Sequence, residues 1–161
     1  MNIDDPWVHG QLRELDEEEC WALLGRRGVG RVAYNDSRGP TCIPVAYAID
    51  GRTVLVRVSP YAGLAQHLPG APAAIEVDAL DHERRTGWSV VLRGVVEAVA
   101  TDDLPAPESR PIPWPEGQRP LHLQLTPSTV TGRRVLQRDA VADDGESTAR
   151  PAPDDASGER Q

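Results

Sequence analysis

Four consecutive residues, Arg57-Val58-Ser59-Pro60, offer the clearest chemistry in the sequence. An arginine side chain, a serine hydroxyl and the free backbone N–H groups at the start of a helix can together bind an anion, and lysine is not required. An ordinary strand end followed by a helix would use the same residues, with Arg57 on the surface and Ser59 as the N-cap. The segment therefore predicts either an anion site or a simple helix cap.

Two carboxylates, Glu76 and Asp78, lie two residues apart in a run that is typical of a strand, so they face the same side of a sheet. Such a pair can perform acid–base catalysis when burial separates the two pKa values. More often the pair is solvated or binds an arginine of a neighbouring strand. Arg93 or the adjacent Arg84 and Arg85 could supply that arginine.

The composition excludes several kinds of catalytic and metal site. All 17 basic residues are arginine, so the chain lacks the lysine of a Schiff base to pyridoxal phosphate, of the usual phosphate-binding loop and of a serine–lysine dyad. The four histidines lack the i, i+4 spacing of a helical zinc site, and Cys20 and Cys42 match no metal spacing. We therefore predict no metal centre and interpret both cysteines as buried, reduced thiols.

The charge and hydropathy of the chain bear on its partners. A net charge of −8 argues against general nucleic-acid binding, which needs a basic face. No apolar run reaches the ~18 residues that would span a membrane, and the acidic start of the chain is not typical of a signal peptide. We therefore expect a cytoplasmic protein that binds neither nucleic acid nor membrane.

Two short helices and six strands must position these side chains. Asp16 and Glu19 form a capping-box pattern that predicts a helix over residues 16–27, and Ser59-Pro60 predicts a second over residues 60–68. Apolar runs between turn residues predict strands at residues 29–34, 41–49, 53–58, 73–77, 88–99 and 121–125.

Local signals divide the chain further. Gly94 indicates a bulge in the long fifth strand. Six prolines in residues 101–120 predict an irregular loop, which we expect Trp114 to anchor. Residues 1–14 are interpreted as a lead-in, residues 15–136 as a small β-barrel domain, and residues 137–161 as a disordered acidic tail.

The order of these motifs resembles the pyridoxamine 5′-phosphate oxidase-like family of flavin-binding split β-barrels, in its small actinobacterial branch related to nitroimidazole-resistance proteins. The similarity covers about residues 12–135. It rests on Val29-Gly30-Arg31-Val32, Pro44-Val45-Ala46-Tyr47, Ala74-Ile75-Glu76-Val77-Asp78, Gly87-Trp88-Ser89-Val90 and Val130-Thr131-Gly132-Arg133.

The resemblance implies a mainly β fold, a six-stranded split β-barrel, that forms a homodimer with one FMN in each of two grooves between subunits. Arg57 and Ser59 would then bind the FMN phosphate, and Trp88 would be a candidate wall of the groove. Val58, Gly63 and Leu64 occupy positions of the family's phosphate-site motif. The flavin ring would be lined by three further residues, Pro44, Val45 and Ala46.

The same resemblance favours an FMN-dependent oxidoreductase that acts on a small organic substrate. The flavin would perform the electron transfer, so no side chain is assigned a catalytic role. Val58, Gly63 and Ala46 stand where the family often has threonine, lysine and asparagine. These departures leave two alternatives: a split-barrel binding or sensory module that has lost tight FMN binding, and a deazaflavin-dependent oxidoreductase.

Overall fold

The computed structural model describes residues 10–25 and 27–137, which form one antiparallel sheet with two short helices. The strands are β1 (Gly10–Leu15), β2 (Arg27–Asp36), β3 (Gly39–Asp50), β4 (Thr53–Val58), β5 (Ala71–Asp81), β6 (Thr86–Ala98) and β7 (Leu121–Gln137). The helices are α1 (Glu17–Leu24) and α2 (Gly63–His67). No helix in these ranges is long and apolar enough to cross a membrane. The disorder predicted for the acidic tail concerns residues outside the described ranges, apart from Gln137.

The sheet closes on itself because β7 pairs along both of its edges. One edge pairs with β4 and then with β1, and the other pairs with β6, so the strand order is β1-β7-β4-β3-β2-β5-β6 with β6 returning to β7. Six strands therefore form a ring, which confirms the predicted six-stranded split β-barrel. Buried apolar side chains fill the interior of the ring, among them Val32, Ile75, Leu92, Leu123 and Leu125.

β1 is a seventh strand that the sequence did not predict. Its residues pair with the far half of β7, from Gly10 opposite Gln137 to Leu15 opposite Gly132. The described part of the predicted lead-in is thus strand rather than loose chain. The last strand was predicted at residues 121–125, which is too short. Residues Thr126 to Thr129 are typical of a turn and interrupt the apolar alternation, but in the structure this segment still pairs with β6 and the strand continues.

Helix α1 has the predicted capping box and a shorter length than predicted. The backbone N–H of Glu19 donates to Asp16 Oδ1 at 2.8 Å, and the backbone N–H of Asp16 donates to Glu19 Oε2 at 3.0 Å. The helix ends at Leu24 because Gly25 adopts a φ of +64°, which turns the chain into β2. The Tyr47 hydroxyl donates to the carbonyl of Leu24 and ties this end of the helix to β3.

The second predicted helix is also shorter, and Ser59 is not its N-cap. The backbone carbonyl of Ser59 accepts a hydrogen bond from the backbone N–H of Ala62 at 3.0 Å. The Ser59 hydroxyl accepts a second one from the backbone N–H of Tyr61 at 3.3 Å. These bonds close a turn, and α2 begins only after Ala62. The interpretation of Ser59 as a plain helix cap is therefore wrong.

The predicted bulge at Gly94 is confirmed. The pairing of β6 with β7 shifts register between Arg93 and Gly94, where Gly94 lies opposite Pro127. The loop over residues 101–120 is irregular, as predicted, with two short 3-10 turns, Thr101–Asp103 and Pro107–Ser109. Its buried residue is Pro111, whereas Trp114 is 82% exposed. The prediction that Trp114 anchors the loop is wrong.

Candidate functional site

The candidate site is an open cleft of about 320 Å³ between the barrel, α2 and the loop of residues 101–120, called the proline-rich loop below. Residues from the middle of β3, one residue of β2, the end of β4, α2 with the residue before it, and the loop contribute to its lining. The lining residues are Val29, Ile43, Pro44, Val45, Ala46, Arg57, Val58, Ser59, Ala62, Leu64, Pro113, Trp114, Pro115 and Arg119.

Seven of the nine predicted site residues lie together in this cleft. They are Pro44, Val45, Ala46, Arg57, Val58, Ser59 and Leu64. Gly63 begins α2 and lies outside the lining, and a Cβ added there would come 3.1 Å from the Tyr34 hydroxyl. Trp88 is on β6, opposite Ala79 and Arg134, and packs against the core. Its predicted role as a wall of the groove stays a prediction.

The β3 side of the cleft is apolar: Pro44 and Ala46 share one face of the strand, whereas Val45 on the opposite face packs into the core. Ile43, Pro44, Val45 and Ala46 are consecutive residues of β3, and their β2 partners include Gly30 opposite Val45. A Cβ at Gly30 would come 2.8 Å from the carbonyl oxygen of Glu76 on β5, so glycine here permits close packing of β2 on β5. The result is a packed wall against which a planar, apolar ring system can lie.

One end of the cleft holds two guanidinium groups. Arg57 Nε donates to the carbonyl of Arg119 at 2.6 Å. Arg119 Nη1 donates to the carbonyls of Pro115 and Glu116, both at 2.8 Å, and so closes its own loop. The remaining nitrogens of the two side chains make no hydrogen bond within the described residues. These free N–H groups are positioned to bind an anion at the edge of the apolar wall.

Sequence reasoning missed Arg119. The six prolines around it predict an irregular loop but not where that loop packs. What the sequence did not reveal is that the backbone carbonyl of Arg119 accepts a hydrogen bond from Arg57 and that Arg119 lines the same cleft. The contact depends on the loop's tertiary path rather than on any short motif.

A buried histidine is the strand partner of Arg57. His122 is opposite Arg57 in the β4–β7 pairing and is only 5% exposed. Its Nδ1 is 3.2 Å from the carbonyl of Pro120, and its Nε2 has no hydrogen-bond partner among the residues described. Burial lowers the pKa of His122; the bond to Pro120 opposes this, and the charges of Arg57 and Arg110 lower the pKa further.

This lowered pKa predicts a loss of stability in mild acid. Above the ordinary histidine pKa of about 6.5 the ring is neutral in both states, and below it the unfolded chain takes up a proton that the folded chain resists. The free energy of unfolding should therefore fall as the pH falls from about 7.5 to 5.5, by about 1.4 kcal/mol for each pKa unit of lowering. Urea unfolding at the two pH values measures this change.

The His122→Gln variant should lose most of that pH dependence, because glutamine does not titrate. His82→Gln is the matched control, since His82 is exposed in the turn between β5 and β6. Equal pH dependence in the wild type and in His122→Gln would contradict the assignment to His122.

The other candidate groups have structural surroundings. Arg31 Nη1 lies 2.9 Å from Glu76 and 3.2 Å from Asp78, so the carboxylate pair binds an arginine of a neighbouring strand. The predicted partners Arg93, Arg84 and Arg85 were wrong, because β2 rather than β6 presents its arginine to this face. No cluster of metal-ligating side chains occurs in residues 10–25 and 27–137.

The two cysteines differ in exposure. Both are free thiols; Cys20 is buried, as predicted, whereas Cys42 is exposed. The prediction of a buried thiol is therefore wrong for Cys42, which lies on an outward-facing position of β3. Burial raises the pKa of the Cys20 thiol, and the carboxylate of Asp16 raises it further.

Comparison with known proteins gives consistent matches. The family model described as pyridoxamine 5′-phosphate oxidase matches residues 16–134. An uncharacterized protein of Mycobacterium tuberculosis is 33% identical in an alignment of 132 positions that covers 78% of this chain and 87% of the relative.

Solved structures share the fold. A structure described as the FAD binding protein from Mycobacterium smegmatis is 26% identical with a TM-score of 0.59, and the match covers 77% of this chain and 98% of that one. A conserved protein of unknown function from Corynebacterium diphtheriae is 22% identical with a TM-score of 0.63, over 78% of this chain and 98% of that one. The second likeness concerns the fold alone.

Proposed function

Because this chain belongs to the pyridoxamine 5′-phosphate oxidase family, we propose that it is a flavin-dependent oxidoreductase whose cleft binds FMN. The observation that carries the proposal is an apolar wall that ends at two guanidinium groups. Ile43, Pro44 and Ala46 line the wall, and Arg57 and Arg119 stand at its end. FMN has two parts that match these two features. Its isoalloxazine ring is planar and largely apolar, and its ribityl chain ends in an anionic phosphate.

The residues at the phosphate end fit an arginine-only site. The family's lysine position is Gly63, which is outside the lining, and the loop contributes Arg119 to the same cleft. A guanidinium binds a phosphate through two parallel N–H donors, which an ammonium cannot do. We therefore assign the FMN phosphate to Arg57, Arg119 and the Ser59 hydroxyl, and Arg119 compensates for the missing lysine.

The chemistry of the reaction would come from the bound flavin, which supplies one- and two-electron transfer. The side chains of the cleft bind and orient it. Apart from the two arginines and Ser59, the described residues that line the cleft carry no polar side chain except the indole N–H of Trp114. This composition supports an electron-transfer reaction on a small, planar organic substrate rather than hydrolysis with a side-chain nucleophile and base.

The open side of the cleft supports a homodimer as part of the proposal. Val29, Ile112 and Trp114 are exposed hydrophobic residues that lie in or beside the mouth of the cleft. A second copy placed over them would cover the flavin from the solvent side. The substrate would then enter between the two chains.

A flavin titration of the full chain tests this proposal. We expect FMN to bind at one molecule per chain, with a shifted visible flavin spectrum and quenched tryptophan fluorescence because Trp114 lines the cleft. Riboflavin, which lacks the phosphate and every contact to it, should bind at least about 30-fold more weakly. Light scattering on the same sample should give the mass of two chains.

Two results would contradict the proposal. If FMN causes no spectral change and no thermal stabilisation, the protein does not bind flavin and the alternative of a binding module is favoured. If only a deazaflavin binds, the cofactor of the cleft is the deazaflavin. If FMN binds, reduction of its visible band by a reduced nicotinamide and recovery on adding an electron-poor aromatic acceptor would support the oxidoreductase assignment.

A further inference from the structure

A second cleft, of about 440 Å³, lies beside the first and has an uncharged lining. It is lined by Gly28 and Val29 of β2, Tyr47 of β3, and Ile112 and Trp114 of the proline-rich loop, and we call it the aromatic cleft. Val29 and Trp114 also line the first cleft, so the two spaces meet at these side chains. A molecule in the aromatic cleft would therefore lie next to a flavin in the first cleft.

Two aromatic side chains form much of this lining. Gly28 is the strand partner of Tyr47, and a Cβ added at Gly28 would come 3.2 Å from two atoms of the Tyr47 side chain. Because glycine has no side chain, the buried Tyr47 ring can still form part of the cleft. Trp114 is 82% exposed, so its indole offers a large flat surface on which another aromatic ring can stack.

The polar atoms of the lining offer no partner to a charged ligand. Among the described residues, no aspartate, glutamate, arginine or histidine lines the aromatic cleft. The Tyr47 hydroxyl is already engaged, because it donates to the carbonyl of Leu24, and burial raises its pKa. Within the described part of the chain, the one side-chain donor of the lining that makes no hydrogen bond is the indole N–H of Trp114.

The two clefts differ in the charge that they can accept. The first cleft holds Arg57 and Arg119, whereas the aromatic cleft would receive an ionised group without a partner, which costs free energy. An anionic group is therefore expected at the arginines and an uncharged ring in the aromatic cleft. Stacking on Trp114 and a hydrogen bond from its N–H to one acceptor atom are the contacts that this lining can supply.

The exposure of the apolar side chains also indicates a ligand. Val29, Ile112 and Trp114 are all exposed and share one cleft, and grouped exposed hydrophobic side chains mark binding surfaces. The volume of the cleft is within the range typical of small-molecule sites. The second copy of the proposed homodimer would cover the same side chains, so a bound ring would lie between the two chains.

We propose that the aromatic cleft binds the organic substrate of the flavin reaction, and that this substrate is an uncharged aromatic compound with a hydrogen-bond acceptor. The inference rests on the proposed flavin site, because a flavin in the first cleft is what makes a neighbouring aromatic compound a substrate. Trp114 and Tyr47 contact the ring. Ile112 is the specificity-determining position, because it also lines the neighbouring space that holds Arg57 and Arg119 and so stands where the uncharged lining meets these charges.

Competition binding on the FMN-loaded protein tests this proposal. 2-Acetylnaphthalene is an uncharged bicyclic compound with a carbonyl acceptor, and 2-naphthoate has nearly the same shape with a negative charge. We expect 2-acetylnaphthalene to bind and 2-naphthoate to displace it at least about tenfold more weakly. Displacement reports on the shared cleft alone, so binding of the anion to the nearby arginines does not enter. Isothermal titration calorimetry with 2-acetylnaphthalene, with and without 2-naphthoate, measures both affinities.

Two variants change the cleft in different ways. Ile112→Lys adds a positive charge, so it should weaken 2-acetylnaphthalene and strengthen 2-naphthoate until the preference between them is lost. Gly28→Ala adds a methyl group against the Tyr47 ring and should weaken both compounds about tenfold. Leu80→Lys is the matched control, because Leu80 is 60% exposed, as Ile112 is 61% exposed, and lines neither cleft. It should change neither affinity by more than about twofold.

The outcomes separate this proposal from the flavin assignment, because FMN binding is measured in its own titration. If FMN does not bind, the same competition on the flavin-free protein still tests the aromatic cleft, since neither Gly28 nor Ile112 lines the first cleft. Absence of 2-acetylnaphthalene binding, or unchanged affinities in both Ile112→Lys and Gly28→Ala, would overturn the proposal and leave the flavin assignment intact. An Ile112→Lys protein with wild-type affinities and the mass of one chain by light scattering would also overturn it, by assigning Ile112 to the contact between chains.

Discussion

Replacing Arg57 by glutamine is expected to weaken FMN binding by roughly 30- to 1000-fold. Arg57 is half-buried at the end of β4 and lines the cleft, and its Nε donates to the carbonyl of Arg119, which leaves its two terminal nitrogens without a hydrogen bond among the described residues. Loss of two charge-assisted hydrogen bonds to a phosphate costs about 2–4 kcal/mol, at about 1.4 kcal/mol for each tenfold change in Kd. A flavin fluorescence titration measures the change directly.

Riboflavin provides the internal control for this variant. Because riboflavin has no phosphate, its affinity should change less than threefold in Arg57→Gln if the apolar wall remains intact. Arg57→Lys should fall between the wild type and Arg57→Gln, since an ammonium keeps the charge but loses the paired donors. Arg84→Gln should bind FMN as the wild type does. An equal loss of riboflavin and FMN affinity would contradict a phosphate role and assign Arg57 to supporting the loop through Arg119.

The barrel could be predicted because its signals are local. The alternation of apolar residues and the capping box at Asp16 each depend on residues within a few positions of one another, and the structure has the predicted strands and helix α1 there. β1 has no such signal. Its six residues form a strand only because the far half of β7 offers a free edge, which is a property of the closed sheet.

The site could be predicted in part for the same reason. Pro44, Val45 and Ala46 are neighbours in sequence, as are Arg57, Val58 and Ser59, and the pairing of β3 with β4 brings the two segments to one cleft. Trp114 and Arg119 enter the cleft from a loop more than 50 residues further along the chain. Their positions follow from where that loop packs, so residue type and spacing could not assign them.

The same distinction explains the ends of the helices. Residues 60–68 have a good helix start in Ser59-Pro60, yet the Ser59 carbonyl bonds to Ala62 and delays the helix by a turn. That turn directs the Ser59 side chain to the cleft lining instead of using it as the N-cap. This geometry excludes the cap, and the role of Ser59 as an anion ligand stays a prediction.

The Gly94→Ala variant is expected to lose at least about 3 kcal/mol of stability. A Cβ added at Gly94 would lie 2.0 Å from the carbonyl oxygen of Thr126, with the carbonyl carbon of Thr126 and Pro127 Cα also closer than 3.0 Å. All three contacts are to backbone atoms, so no side-chain rotation relieves them. The bulge between Arg93 and Gly94 would have to open, and β6 and β7 would separate where the ring closes. The urea midpoint of the purified chain measures the loss.

Stability and ligand binding should separate in this variant. Gly94 does not line the candidate cleft. The residue of β7 that pairs with Arg57 is His122, which is separate from Pro127, the β7 residue opposite Gly94 at the bulge. The fraction of Gly94→Ala that is folded in the absence of denaturant should therefore bind FMN with near wild-type affinity, and added FMN should raise its urea midpoint. Glu97→Ala, an exposed position of the same strand, should change stability by less than about 0.5 kcal/mol. A Gly94→Ala chain with the wild-type midpoint would show that β6 and β7 can part at the bulge without cost, which would contradict the close backbone contact that closes the barrel.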